Sequence, residues 1–273
     1  MFDLERIDTP ALSLVDRVVD ALVSSSGATD TSIMVIGAHC RDLLHASFGR
    51  TDLLRSTSDV DLGVAVDGDA TYRRIVSIFP SSGRTEIRYS IAGVSVDVVP
   101  FGEIEDPAGT TVLPGRKDTL DVFGFREVFS HSEVLRLPSG HHVRIPTPAG
   151  YTALKLKAWC DRSINGEYKD AADISTACSW YQQDADVRAA LYGQRTDLLL
   201  RTEIDVDVSA LHLLGEEMAE ILGSDRVAEL SAAWQRTNRE LLIEYFARQR
   251  SRTHPDRAAA DRAITGLTAF VSE

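Results

Sequence analysis

The sequence predicts an α+β fold: a first part in which short strands and helices alternate, followed by a part that is helical to its end. Three observations carry this reading. Apolar residues recur at helical spacing over residues 10–24, two β-rich runs flank a short Gly turn over residues 86–99, and the pattern turns helical after Pro146-Thr147-Pro148. With 273 residues, 44% of them apolar and 26% charged, the chain can bury a core in one large domain or two modest ones. A boundary is placed at 146, giving domains 1–146 and 147–273.

The elements follow in order. Ala11, Leu12, Leu14, Val15, Val18, Val19, Ala21 and Leu22 repeat at helical spacing and predict an amphipathic helix over 10–24, ended by Ser24-Ser25-Ser26-Gly27. Ser32-Ile33-Met34-Val35-Ile36 is a short apolar run suited to a buried strand. Gly37 marks a sharp turn, and 38–48 reads as a helix with Cys40, Leu43, Leu44 and Phe48 on one side. After the polar loop 49–58, residues 60–66 alternate as a strand, and 71–79 is a helix stopped by Pro80. A hairpin pairs 86–91 with 94–99 around Ala92-Gly93. Residues 112–113, 134–137 and 142–145 suggest further short strands. Thr147 can cap a helix with Pro148 in its first position. The helices expected beyond it are 148–162, 170–182, 186–192, 209–222, 225–252 and 256–271.

Composition narrows the function classes. The net charge is −12, with 14 Lys+Arg against 21 Asp+Glu up to residue 150 (net −7) and 15 against 20 after it (net −5). Neither part suits generic polyanion binding, which comes from neutralising phosphates. Five arginines over 239–257 lie among Glu240, Glu244 and Asp256, and read as a solvated helix face before a nucleic-acid patch. The acidic start of the chain lacks the apolar core of a signal peptide, and no apolar run approaches the ~18 residues that cross a bilayer. Cys40, Cys160 and Cys178 are far apart and form no CxxC pair. These observations predict a cytoplasmic protein with reduced thiols and no membrane partner.

Asp59 and Asp61 stand two apart on a predicted strand, so both project from one face while Val60, Leu62 and Val64 point the other way. Such a pair can hold a divalent cation, and Mg²⁺ favours a few carboxylates plus water and phosphate oxygens. Alone, two aspartates near a strand start are ordinarily just solvated. Their context adds weight: the preceding strand–Gly37–Ala38–helix turn presents backbone N–H groups and the positive end of a helix dipole to an anion. A third acid, Asp97, interrupts the apolar strand 94–99, where it either faces solvent or answers a charge.

The run Ile36-Gly37-Ala38, then Ser58-Asp59-Val60-Asp61-Leu62, then Val96-Asp97-Val98 resembles the DNA-polymerase-β-type nucleotidyltransferase superfamily. More closely, Gly37-Ala38-His39-Cys40-Arg41-Asp42-Leu43-Leu44, Arg55-Ser56-Thr57-Ser58-Asp59-Val60-Asp61 and Val96-Asp97-Val98-Val99-Pro100-Phe101-Gly102 resemble bacterial AbiEii-type and MenT-type toxin nucleotidyltransferases. Ala153-Leu154-Lys155-Leu156-Lys157-Ala158-Trp159 and Lys169-Asp170-Ala171-Ala172-Asp173-Ile174 do so as well. The five motifs keep their order over residues 30–182, and nothing beyond 182 adds to them. The superfamily usually has Gly-Ser or Gly-Gly at the turn. With Ala38 here, the backbone donors remain but a serine hydroxyl for the triphosphate is missing.

The resemblance implies a small mixed-sheet nucleotidyltransferase domain and a helical domain completing the active site. It implies Mg²⁺, two ions in the family's scheme, bound by Asp59, Asp61 and Asp97, with a nucleoside triphosphate as substrate. Asp97 would also serve as base. Lys155 and Asp173 would join the catalytic set, and Gly37, Ala38, Arg41 and Ser58 the nucleotide-binding set. Each has a plainer alternative. Lys155 can be an exposed lysine covering apolar surface with its stem, Arg41 can pair with Asp42 or Asp59, and Asp170 suits capping or a salt bridge more than catalysis. His141-His142 reads as a solvated turn, and Trp159, Trp180 and Trp234 as helix packing.

The acceptor is open: a tRNA end, as in the MenT-type relatives, a protein side chain or a small molecule. An antitoxin partner belongs to the toxin reading. An aminoglycoside-type antibiotic nucleotidyltransferase would use the same carboxylates on a cationic substrate. An inactive nucleotide-binding module is the reading from another class, favoured by Ala38.

Overall fold

The computed structural model describes residues 2–82, 85–113, 119–250 and 256–272. The chain divides into two compact units, Phe2–Thr147 and Pro148–Glu273.

In the first unit, helix α1 (Thr9–Ser26) starts where the Asp8 carboxylate accepts from the Ala11 amide and ends at Gly27 with φ 67°. Its stripe of Leu12, Val15, Val18, Val19 and Leu22 is buried, as the period requires. Strand β1 (Ile33–Ile36), buried throughout, runs directly into α2 (Gly37–Ser47). Then come β2 (Asp59–Val66), α3 (Asp69–Val76), the hairpin β3 (Arg88–Ile91) and β4 (Val94–Gly102), the small ribbon β5 (Thr110–Thr111) and β6 (Leu120–Asp121), α4 (Phe125–Ser130), and β7 (Glu133–Arg136) with β8 (His142–Ile145).

Six strands form one sheet in the order β3-β4-β2-β1-β8-β7. It is mixed: β2 with β4 and β1 with β8 are parallel, the other pairs antiparallel. Val60, Leu62 and Val64 of β2 and Val96 and Val98 of β4 are fully buried. That alternation leaves the intervening Asp59, Asp61 and Asp97 half-buried on the other face.

The second unit is helical: α5 (Pro148–Arg162), α6 (Lys169–Gln183), α7 (Ala185–Tyr192), α8 (Thr196–Arg201), α9 (Val206–Trp234), α10 (Arg239–Arg250), α11 (Arg257–Leu267) and α12 (Ala269–Ser272). Its core contains Trp159, Trp180, Leu211, Leu214 and Phe246, all fully buried, and Trp234 is 7% exposed. The chain is thus α+β, a mixed sheet followed by a helical region.

Several boundaries differ from expectation. The helix expected over 225–252 is two elements, with positions 251 and 252 outside the described residues. Gly223 (φ 69°, ψ 169°) leaves helical geometry where the expected break after 222 falls, and the helical segment beyond it ends at Trp234. A fresh start follows, in which the Asn238 side chain accepts from the Leu241 amide, an N-cap hidden inside an apparently continuous pattern. The strand expected at 112–113 lies at Thr110–Thr111. Helices α4 and α8 are six residues each, too short to show a period. His142 is exposed as expected, whereas His141 is half-buried between Asp20 (3.3 Å) and Asp30 (3.6 Å). The arginine run agrees with the expected solvated face where its side chains are described: Arg248 and Arg257 are exposed and Arg239 half-buried. All three are ion-paired, Arg239 to Asp261, Arg248 to Glu244, and Arg257 to Glu240 and Glu244. Arg252 lies outside the described residues.

One contact in the helical unit has a pH signature. The Tyr181 hydroxyl donates to the Glu217 carboxylate. Burial raises the pKa of both groups, with the Glu217 charge adding to the effect on Tyr181. A carboxyl whose folded-state pKa lies above its unfolded value holds more proton in the folded chain. Stability is then full below the unfolded value and falls as pH rises through the folded one. Glu217→Gln keeps an acceptor for Tyr181 without the charge. Its melting temperature should exceed that of the wild type by a margin that widens from pH 4.5 to 7, read by calorimetry; a constant difference would contradict the assignment.

Candidate metal centre

The strand register builds the acidic site. Asp61 is paired with Ile36 of β1 on one side and with Asp97 of β4 on the other, and Asp59 lies two residues earlier on the same face. Carboxylate oxygens of Asp59, Asp61 and Asp97 all lie within 4.8 Å of one another. Three like charges this close repel, and a cation relieves that repulsion. The donor set of hard, anionic oxygens with open positions around it matches what Mg²⁺ or Mn²⁺ accepts.

Gly37 makes the arrangement possible. A Cβ placed there would fall 2.0 Å from Asp61 Oδ2, 2.8 Å from its Cγ and 2.9 Å from its Cβ, and the residue has φ +66°. Besides the close phosphate approach expected of a glycine at this turn, its missing side chain admits the Asp61 carboxylate. Turning the carboxylate aside would not clear the clash, because the Asp61 Cβ itself is too near. Gly37→Ala should therefore cost about 1–2 kcal/mol in backbone strain alone. It should also displace Asp61, weakening Mn²⁺ binding in a chain that still folds. Urea melts and Mn²⁺ titration read the two effects, and wild-type Mn²⁺ affinity in the folded variant would refute the second.

Other side chains fix the surroundings. The Thr57 hydroxyl donates to Asp59 Oδ1. That bond foremost, with the Asp59 amide and the Arg88 charge, holds Asp59 below the ordinary carboxylate pKa against the opposing effect of burial. Ile36 gives α2 no side-chain cap. Ala38 and His39 of the first turn are half-buried, and Ser58 is exposed beside Asp59. Burial lowers the His39 pKa although Asp42 and Asp59 pull it up. Its ring is therefore neutral near pH 7 and supplies no positive charge to the cluster.

Arg41, 2% exposed, donates to Asp42 Oδ1 (2.8 and 2.7 Å) and to the Arg55 carbonyl (2.6 Å). It ties the loop before β2 to α2, the ion pair with Asp42 that was one of its two sequence readings.

Arg88 was not singled out in the sequence. It pairs with Asp97 through both carboxylate oxygens (Nε–Oδ1 2.6 Å, Nη2–Oδ2 2.7 Å) and reaches Asp59 Oδ2 at 3.6 Å. A signal for it existed. With Ala92-Gly93 as a two-residue turn, Ile91 faces Val94, and counting back along the ladder puts Arg88 opposite Asp97.

In the helical unit, Lys155 Nζ lies 2.6 Å from Asp173 Oδ2 and 3.3 Å from Asp170 Oδ1, with Arg162 Nη1 3.4 Å from Asp170 Oδ2. Both aspartates are buried, and the Lys155 side chain is 13% exposed. Lys155 is thus not the exposed lysine of the plainer reading, and Asp170 is a salt-bridge partner. Lys157 turns away to Asp161 (2.8 Å).

No protein-family model matches the sequence, and no curated protein does. Two of the solved structures that match do so at low identity. A nucleotidyltransferase-like protein, an antigen from Paracoccidioides brasiliensis, is 16% identical with TM-score 0.40, covering 75% of this chain and 94% of that one. The CCA-adding enzyme of Thermotoga maritima, solved with tRNA, is 13% identical with TM-score 0.23, covering 99% and 81%. The functional reading rests on the carboxylate cluster rather than on these likenesses. No helix among the described residues is long and apolar enough to cross a membrane.

Proposed function

We propose that this protein is a metal-dependent nucleotidyltransferase that moves a nucleoside monophosphate from a nucleoside triphosphate to an acceptor hydroxyl. The observation that carries the proposal is the convergence of Asp59, Asp61 and Asp97 oxygens within 4.8 Å on adjacent parallel strands. Asp59 and Asp61 would hold a divalent cation that neutralises the triphosphate and polarises its α-phosphorus. The acceptor oxygen forms a bond to that phosphorus as the bond to the β-phosphate oxygen breaks, and pyrophosphate leaves with the electron pair. By the resemblance Asp97 would accept the hydroxyl proton, with Arg88 holding its carboxylate in a fixed orientation. Gly37 and Ala38 would offer backbone amides to the phosphates, with Ser58 beside them, while Arg41, buried on Asp42 and the Arg55 carbonyl, would hold the loop before β2 in place.

Lys155 and Asp173 enter this reading by resemblance, as does the toxin-like subtype with a tRNA acceptor and an antitoxin partner. The test is incubation with each α-³²P-labelled triphosphate, Mg²⁺ and total tRNA or protein. Label on an acceptor that disappears with Asp59→Asn supports transfer, and label on tRNA identifies the acceptor class. Triphosphate binding that persists without any transfer, and does not depend on Asp59, would replace the proposal with an inactive nucleotide-binding module. Growth arrest on expression, lost with Asp59→Asn, would support the toxin branch.

A further inference from the structure

The acidic site contains its own cation. Arg88 engages both oxygens of Asp97 in a fork of two parallel hydrogen bonds and lies 3.6 Å from Asp59. A bidentate guanidinium–carboxylate pair of this kind is among the stronger charge-assisted contacts. The contact follows from the β3–β4 register, which puts the two residues directly opposite one another.

The charges then sum in an informative way. Three carboxylates carry −3 and Arg88 +1, leaving −2, the charge one divalent ion cancels. A second ion would have to take Asp97 from Arg88 or share oxygens already used by it.

We propose that Arg88 occupies the Asp97 side of the site in place of the second Mg²⁺ that the family resemblance implies. The protein alone then takes one divalent cation, on Asp59 and Asp61. This rests on the metal-centre reading and deepens it. Arg88 acts as a positioning residue: it keeps Asp97 oriented and limits the number of ions. Because the guanidinium stays charged at any accessible pH, the limit does not relax with pH.

The test counts ions bound to the intact chain, using Mn²⁺ alone, by electron paramagnetic resonance and equilibrium dialysis. One Mn²⁺ is expected on the wild type. Arg88→Met should bind a second, or bind Mn²⁺ on the order of tenfold tighter, because a positive charge has left the cluster. Arg88→Lys, which keeps the charge without the fork, should stay at one ion and separates this effect from any loss of packing in Arg88→Met. Two ions on the wild type, or an unchanged count and affinity in Arg88→Met with a wild-type circular dichroism spectrum, would overturn the proposal while leaving the metal centre in place. No Mn²⁺ on the wild type would overturn both.

Discussion

Replacing Asp61 by asparagine should abolish divalent-ion binding and lower nucleotidyl transfer on the order of 10³-fold. A metal-held transition state contributes several kcal/mol, and each 1.36 kcal/mol is a factor of ten in rate. Asp61 is the central acid, flanked in register by Ile36 and Asp97 and seated in the space that Gly37 leaves open. Asparagine keeps the shape and one carbonyl oxygen but removes the charge. The fold should not suffer. Asp61→Asn relieves repulsion within a like-charged cluster, so its melting temperature should equal or exceed that of the wild type. Mn²⁺ titration, a labelled-triphosphate assay and calorimetry on one preparation separate these effects. Wild-type transfer by the folded Asp61→Asn protein would end the metal-centre reading.

Lys155→Met should instead act on stability. Lys155 is bound to two carboxylates whose side chains are 0% and 2% exposed. Removing it leaves Asp173 without that partner and Asp170 with Arg162 at 3.4 Å. Breaking a buried ion pair from one side costs about 3–5 kcal/mol, enough to lower the melting temperature of a unit this size by about 10 °C. Adding Asp173→Asn should restore much of the loss, because one buried negative charge goes with it. The double variant also separates the two roles of Lys155 and Asp173. If its stability returns and transfer does not, the Lys155–Asp173 pair serves the reaction; if both return together, the pair is structural only. A Lys155→Met protein as stable as the wild type would contradict the buried pairing.

Much of the sheet was legible because its signals are local. Alternation along 60–66 placed Asp59 and Asp61 on one face, and the Ala92-Gly93 turn announced the hairpin that carries Asp97. Gly37 was legible as a glycine needed for close approach. The group that approaches it was not, because Asp61 lies on a different strand and the contact depends on tertiary register. Arg88 passed unnoticed because a charge on an edge strand usually needs no partner. Lys155 and Asp173 carried a family motif, yet no spacing in the chain could show them holding one another across two helices. The break between α9 and α10 was lost for the opposite reason: helix-forming residues on both sides of Asn238 kept a helical pattern through a cap.

The β3–β4 hairpin also makes one contact of the site local in sequence. Arg88 and Asp97 are nine residues apart, whereas Asp59 and Asp97 are thirty-eight apart. The chain entropy of closing the longer loop exceeds that of the shorter by about 1.3 kcal/mol, from (3/2)RT ln(38/9). The contact of Asp97 with its arginine is therefore the less costly of the two in chain entropy. In the folded sheet that arginine offsets part of the like charge where β4 lies against β2.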